Sequence, residues 1–327
     1  MAGRVPLSRV AGLAAIVAGI AIAVSPFAFS LVGNADGGER ITNRFRFTLS
    51  NQGLAQLKSS YTTAVGMGNQ FFTQMLPDVQ RAARQSPSTF EADLRKRYPA
   101  IADAEKNVPP VVAIVNPQVP GLLGLHDDFK KVDSLPFLGL PISSIPWLLL
   151  GLGVGVAALG LAVFARPGRA GAALVAIAGL GLVAVPLIAS APSKADAAVR
   201  VERAGRFVFS PKIGPAALAT TERIDALVHE VETSFIPQTA AQSHETAAQF
   251  TAKVAQRYPA VARGLTAWPS IKPGALHRAR DQVASQRDFA NLEGIHLRAL
   301  PWAVIGPGIL MLLFGTVALV QGRKTSA

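Results

Sequence analysis

PWLLLGLGVGVAALGLAVFARPGRAGAALVAIAGLGLVAVPLIA, residues 146–189, holds only two charged residues, Arg166 and Arg169, in 44 positions. The uncharged runs on either side extend to Asp133 and Lys194 and enclose 32 and 24 residues. A helix rises about 1.5 Å per residue and a bilayer core is roughly 30 Å thick, so about 20 apolar residues suffice to cross it. The stretch therefore reads as two membrane helices joined by a four-residue turn. Two further runs qualify, 26 uncharged residues between Arg9 and Asp36 and 24 between Arg298 and Arg323. The expected spans are 10–32, 145–165, 170–190 and 300–321. In lipid, backbone polar groups must be satisfied within the segment, which makes each span a helix despite its Gly and β-branched content. The 50% hydrophobic content and mean hydropathy of +0.33 over 327 residues agree with a membrane protein.

Charge placement gives the expected orientation. The short pieces outside the spans carry Arg4 and Arg9, Arg166 and Arg169, and Arg323 and Lys324, all positive. The long connections are mixed, with 12 basic and 10 acidic residues in 33–144 and 14 basic and 10 acidic in 191–299. By the positive-inside rule the short pieces, including the 166–169 turn and the 322–327 tail, are cytoplasmic and both long segments are exported. The net charge of +12 is then a topology signal. No basic stripe with interleaved aromatics points to nucleic acid. The expected location is the cytoplasmic membrane with both termini inside. A second reading of the N-terminus stays open, because Arg4, Arg9, an apolar run and the small residues Gly33 and Ala35 also describe a cleavable signal peptide. On either reading the chain from Asp36 onward is exported.

The chain contains no Cys, which removes disulfides, thiol nucleophiles and cysteine metal sites. It also repeats itself. At an offset of 160, FEADLRKRYPAIA (90–102) aligns with FTAKVAQRYPAVA (250–262), with seven identities in 13. Arg9, Gly19, Pro26, Arg46-Phe47, Ser50, Pro77 and Pro109 recur at the same offset. At an offset of 155, Asp133, Gly139, Pro146-Trp147, Gly151 and Gly153 recur as Asp288, Gly294, Pro301-Trp302, Gly306 and Gly308. The expectation is a tandem duplication of a span, an exported domain and a span, comprising residues 1–165 and 170–327. Two spans return each copy to its starting side, so the copies are parallel. They should relate by a pseudo-two-fold along the membrane normal, with two mainly helical exported domains side by side.

Within those domains, Leu54, Leu57, Tyr61, Val65, Phe72 and Met75, and likewise Leu218, Ile224, Leu227, Val231 and Phe235, follow helical spacing. A second helix should run to Tyr98 or Tyr258 and stop before Pro99 or Pro259, with Ser88 and Glu91 as its capping box in the first copy. Ahead of these, Ile41, Phe45, Phe47 and Leu49 alternate with polar residues, and Val199, Val201, Phe207 and Phe209 do so more weakly. This alternation predicts one short strand per copy.

Chemistry is sparse. The five His residues (126, 229, 244, 277, 296) fall in no metal-ligand spacing, and no nucleophile elbow, P-loop or dinucleotide fingerprint occurs. The expectation is no catalytic residue, no cofactor and no metal. The duplicated Arg97-Tyr98 and Arg257-Tyr258 are the candidate partner or ligand surface, though a Pro corner covered by Tyr is the commoner reading. Trp147 and Trp302 are expected interfacial anchors. Gly151, Gly155, Gly306 and Gly308 are expected helix-packing positions. The spans lack interior ionisable groups, which disfavours ion pumps and proton-coupled transporters. The expected function is a non-enzymatic scaffold or accessory subunit of a cell-envelope complex that binds a protein partner. The alternative is a carrier or conduit for a lipidic or uncharged molecule, using an apolar cleft between the exported domains. An exported enzyme is a third and weaker reading.

Overall fold

The computed structural model describes residues 6–134, 141–292 and 295–324. Among them every regular element is helical. The first half contains α1 (Leu7–Ala28), α2 (Ala35–Phe45), α3 (Asn51–Gln70), α4 (Leu76–Ala82), α5 (Pro87–Arg97), α6 (Pro99–Val115), α7 (Val119–Leu123), α8 (His126–Asp133) and α9 (Ile145–Ala165). The second contains α10 (Arg169–Ile188), α11 (Ala191–Val208), α12 (Ile213–Glu230), α13 (Ile236–Gln242), α14 (Ala247–Arg257), α15 (Pro259–Leu292) and α16 (Trp302–Lys324). A π-helical turn at Phe71–Met75 joins α3 to α4, and one at Val231–Phe235 joins α12 to α13.

The predicted strands are helical. Residues 41–45 lie in α2 and 199–208 in α11. Ile41, Phe45 and Leu49 are also spaced four apart, so the same residues fit a helical face. The burial of Thr42 directly beside Ile41 breaks strand alternation, and buried Ala35 and Thr42, seven residues apart, share one side of a helix. In α11 the buried side is Ala195, Ala197, Ala198 and Gly205, and Ala is the strongest helix former.

The chain divides into two units. The first, a bundle, comprises residues 1–43, 127–205 and 287–327, and the second, a lobe, comprises 44–126 and 206–286. Both long connections contribute to the lobe, residues 44–126 from one and 206–286 from the other, while their ends belong to the first unit.

In the bundle, four helices are long and apolar enough to span a membrane: Leu7–Ala28, Ile142–Ala165, Arg169–Ile188 and Leu297–Gln321. The first and third stop where Ser30 (φ 53°) and Ser190 (φ 55°) adopt left-handed backbone, the usual way to end a helix and satisfy its last carbonyls. The expected ends at 32 and 190 move inward accordingly. α1 packs on α9, α10 on α16, and α1 also on α16, whereas α9 and α10 touch far less. Ala11, Ala15, Ile22, Val156, Val175 and Met311 are buried in the shared interior. The backbones approach through glycines. A Cβ placed on Gly19 would lie 2.3 Å from Ala157 N, and one on Gly179 would lie 2.5 Å from Leu312 N. Outward faces carry Leu13, Val17, Ile20, Leu161, Ile177 and Leu313, all exposed and suited to lipid.

In the lobe, one core draws on both halves: Met67, Phe71, Met75, Leu94 and Ile101 from the first, and Val231, Phe235, Val254, Val261 and Trp268 from the second. The rings of Phe71 and Phe235 meet edge to face at 5.9 Å, and Tyr98 meets Phe235 at 5.2 Å. The π turns precede Pro77 and Pro237. Proline has no N–H for the i→i−4 bond and crowds that carbonyl, so a locally widened helix accommodates it. α5 starts at N-cap Ser86, whose hydroxyl accepts from Thr89 N at 3.2 Å, two residues before the expected Ser88. Pro87 explains the shift, because Pro is favoured at the first helical position. In α14, Thr246 and Gln249 form a full capping box.

Candidate functional site

The Arg-Tyr-Pro corners lie within the lobe, where α5 meets α6 and α14 meets α15. Each Tyr precedes a Pro and is pushed out of helical geometry, Tyr98 to φ −136°, ψ 65° and Tyr258 to φ −128°, ψ 65°. Both rings are buried, at 8% exposure. Their hydroxyls cross to the other half. Tyr98 Oη donates to Gln238 Oε1 at 2.8 Å, and Tyr258 Oη donates to Asp78 Oδ2 at 2.5 Å. The backbone behind each corner is held the same way: Ile101 N donates to Glu230 Oε2 at 2.8 Å, while Ala260 N and Val261 N donate to Gln70 Oε1 at 2.7 and 3.2 Å. These acceptors fill otherwise orphaned donors in the first turns of α6 and α15.

The two corners differ in charge. Arg257 pairs with Asp78 Oδ2 at 2.9 Å and lies 5.6 Å from the Tyr258 ring centroid, and Arg81 also pairs with Asp78. The tyrosine hydrogen bond, helped by the two guanidiniums, holds the Asp78 carboxyl below its usual range despite burial. Burial, and then the Asp78 contact, pushes the Tyr258 phenol up to about 12. At the other corner the acceptor is the neutral Gln238, and Arg97 is exposed. Tyr98 is also raised by burial, with Arg97 opposing.

The structure thus places Tyr98 and Tyr258 in the interior and leaves Arg97 and Arg257 at the surface. Their partners Asp78, Gln238, Gln70 and Glu230 were not singled out in the sequence. A signal existed: 70 and 230, and likewise 78 and 238, stand 160 residues apart, and all four positions are polar.

Trp147 and Trp302 are exposed at 62% and 57%, at the starts of their spans. Of the four glycines expected to pack helices, Gly308 does so, with a Cβ position 2.7 Å from Leu182 Cβ and 3.0 Å from Gly179 O. Around Gly151, Gly155 and Gly306 the space is open to 4 Å, and the close approaches in α9 belong to Gly153 and Gly160. Gly151 and Gly155 are each two residues from Gly153, roughly 200° around the helix, and so face away from α1.

The histidines serve local contacts: His126 Nδ1 lies 2.7 Å from Leu49 O, His277 pairs with Asp281 at 3.2 Å, and His244 (φ 59°) occupies the turn before α14. Two open grooves mark the lobe surface. One of about 260 Å³ lies beside Asp103 and Arg223, which pair at 2.9 Å. The other, of about 470 Å³, is lined by residues of the first π turn, α4, α5 and α6. No known protein family, characterised protein or solved structure matches the chain.

Proposed function

We propose that the chain is a tandem duplication of a two-span unit that acts as a non-enzymatic scaffold or accessory subunit of a cell-envelope complex. In this reading the bundle sits in the cytoplasmic membrane with both termini inside, the lobe is exported, and the copies relate by a pseudo-two-fold along the membrane normal. Recurrence at the repeat offset supports the duplication. The π turns, the left-handed Ser30 and Ser190, the left-handed Arg84 and His244, and the Gly19–Gly153 and Gly179–Gly308 approaches all come in matched pairs. The symmetry is approximate, because α1 packs on α16 more closely than α9 on α10.

One observation carries the functional reading. The polar side chains at the duplicated corners are committed to bonds between the two halves of the lobe, where they hold one packed core. Such an arrangement gives a rigid platform, and preorganised surfaces lose little entropy on binding. A lipid carrier would need an apolar cleft between the halves, and that region is filled by Phe71, Met75, Ile101 and Phe235. The interior supports the scaffold over the carrier.

The test is site-specific photo-crosslinking in intact cells at native expression, with the probe at exposed Lys96 on the lobe or at open Gly155 on α9. The scaffold reading expects one discrete, stoichiometric protein adduct from at least one position. Free chain of monomer mass from both positions would contradict it.

A further inference from the structure

The larger groove differs from its counterpart in the other half of the lobe. Its floor carries the partly exposed Phe72 and Phe90, with Leu76 and Leu94 beneath them at 2% exposure, and its exposed lining is more polar than apolar. Over that floor stand Glu105 from α6 and the Glu91–Arg95 pair from α5. At the repeat offset the residues matching Glu91, Arg95 and Glu105 are Thr251, Ala255 and Leu265. Leu265 is buried in the shared core at 8% exposure. The first half therefore carries a carboxylate and an open groove at the position where the second half carries core.

The Glu105 carboxylate makes no hydrogen bond or ion pair among the described residues, while Glu91 pairs with Arg95. Lys106 also lines the groove, next to Glu105 on α6, where adjacent helical residues do not face one another. Although Glu105 is exposed, protein crowding its carboxyl, and then the charge of Glu91, push its pKa up, with Arg95 opposing. A cation beside Glu105 would offset both effects by favouring the ionised carboxylate. The volume, about 470 Å³, falls in the range of roughly 300–1,000 Å³ usual for small-molecule sites. The partly buried rings of Phe72 and Phe90 supply faces for an apolar body or for cation–π contact.

We propose that this groove is a binding site for a small organic cation, an ammonium group carried on an apolar or aromatic body. The ammonium pairs with Glu105, and the body lies against the rings of Phe72 and Phe90. The site is independent of the scaffold role, since a chain that has no protein partner would still bind the cation.

The experiment uses the full chain in phosphatidylcholine nanodiscs at pH 8 and isothermal titration with 3-phenylpropylammonium, 3-phenylpropan-1-ol and 3-phenylpropanoate, with empty nanodiscs subtracted. The ammonium is expected to bind saturably, one per chain, and the alcohol roughly tenfold or more weaker, as loss of a charge-assisted contact implies. The carboxylate should not bind. Glu105→Gln should weaken the ammonium roughly tenfold, and Glu105→Leu, which imitates Leu265, should abolish binding while leaving the chain folded by circular dichroism. Glu232→Gln, at an exposed acid of the other half, should change nothing. Failure of the ammonium to saturate the native chain, equal affinity for all three probes, or undiminished binding to folded Glu105→Leu would each overturn the proposal.

Discussion

Replacing Tyr258 by Phe should destabilise the lobe more than replacing Tyr98, although the two sit at matching corners with equal burial. The Tyr258 hydroxyl donates to a carboxylate at 2.5 Å and the Tyr98 hydroxyl to a neutral amide at 2.8 Å. Hydrogen bonds to charged groups contribute about 1.5–3 kcal/mol and neutral ones about 0.5–1.5 kcal/mol. Asp78 would keep Arg257 and Arg81, so the cost of Tyr258→Phe should lie near the lower end of its range, about 1.5–2 kcal/mol. The pH dependence separates the variants further. Below about pH 10 the phenol is neutral in folded and unfolded chains and adds no slope. Above that, the unfolded chain releases its proton while the folded one holds it up to about 12, so stability falls by about 3 kcal/mol across this window. Tyr258→Phe removes this part of the alkaline limb and leaves the parts contributed by Tyr61 and Tyr98, whose phenols are also raised by burial. At the acid end the sign reverses: the lowered Asp78 pKa stabilises the fold above the usual carboxylate range, and this is lost as pH falls through the folded value. The assay is urea unfolding of the full chain in micelles, followed by the emission of buried Trp268 with Trp147 and Trp302 replaced by Phe. Equal losses for the two variants, or an unchanged alkaline limb in Tyr258→Phe, would refute the reasoning.

Gly19→Ala should force α1 and α9 apart by about 1 Å at a cost of about 1–3 kcal/mol, while Gly155→Ala, with open space around it, should be neutral or gain up to about 1 kcal/mol. Thermal unfolding in micelles checks the order. Phe235→Ala, which empties the centre of the lobe core, should cost about 3–5 kcal/mol in the Trp268 assay, and a cost below about 1 kcal/mol would contradict the shared core. Binding of 3-phenylpropylammonium should weaken as pH is lowered through the raised Glu105 pKa, with Glu91, Arg95 and Lys106 as the other charged groups at the groove. In Glu105→Gln the profile should be flat.

The spans were legible because length and hydropathy suffice when the solvent is lipid, and the first and third stop early where Ser30 and Ser190 adopt left-handed backbone. The corners were legible because Pro99 and Pro259 act on the residue before them, a purely local effect. The α2 segment was misread because Ile41, Phe45 and Leu49 satisfy both periods, and the burial of Thr42, which alternation would turn to the other face, decides between them. GxxxG spacing does not say which side of a helix meets a neighbour: Gly308 closes on Leu182 and Gly179, whereas in α9 it is Gly153, between Gly151 and Gly155, that closes on α1. Asp78 and Gln238 stayed hidden because their partners lie 180 and 140 residues away, so only the folded lobe brings them together.

Cysteine labelling with a membrane-impermeant maleimide in intact cells tests the duplicated topology most directly, since the chain has no Cys of its own. Single substitutions at exposed Ser88 and Ser243, one on each half of the lobe, and at Ser326 in the tail are the informative set. The account predicts labelling at Ser88 and Ser243 and none at Ser326 until the cells are opened. Labelling of one lobe position without the other, or of Ser326 in intact cells, would contradict two parallel copies with a shared exported lobe.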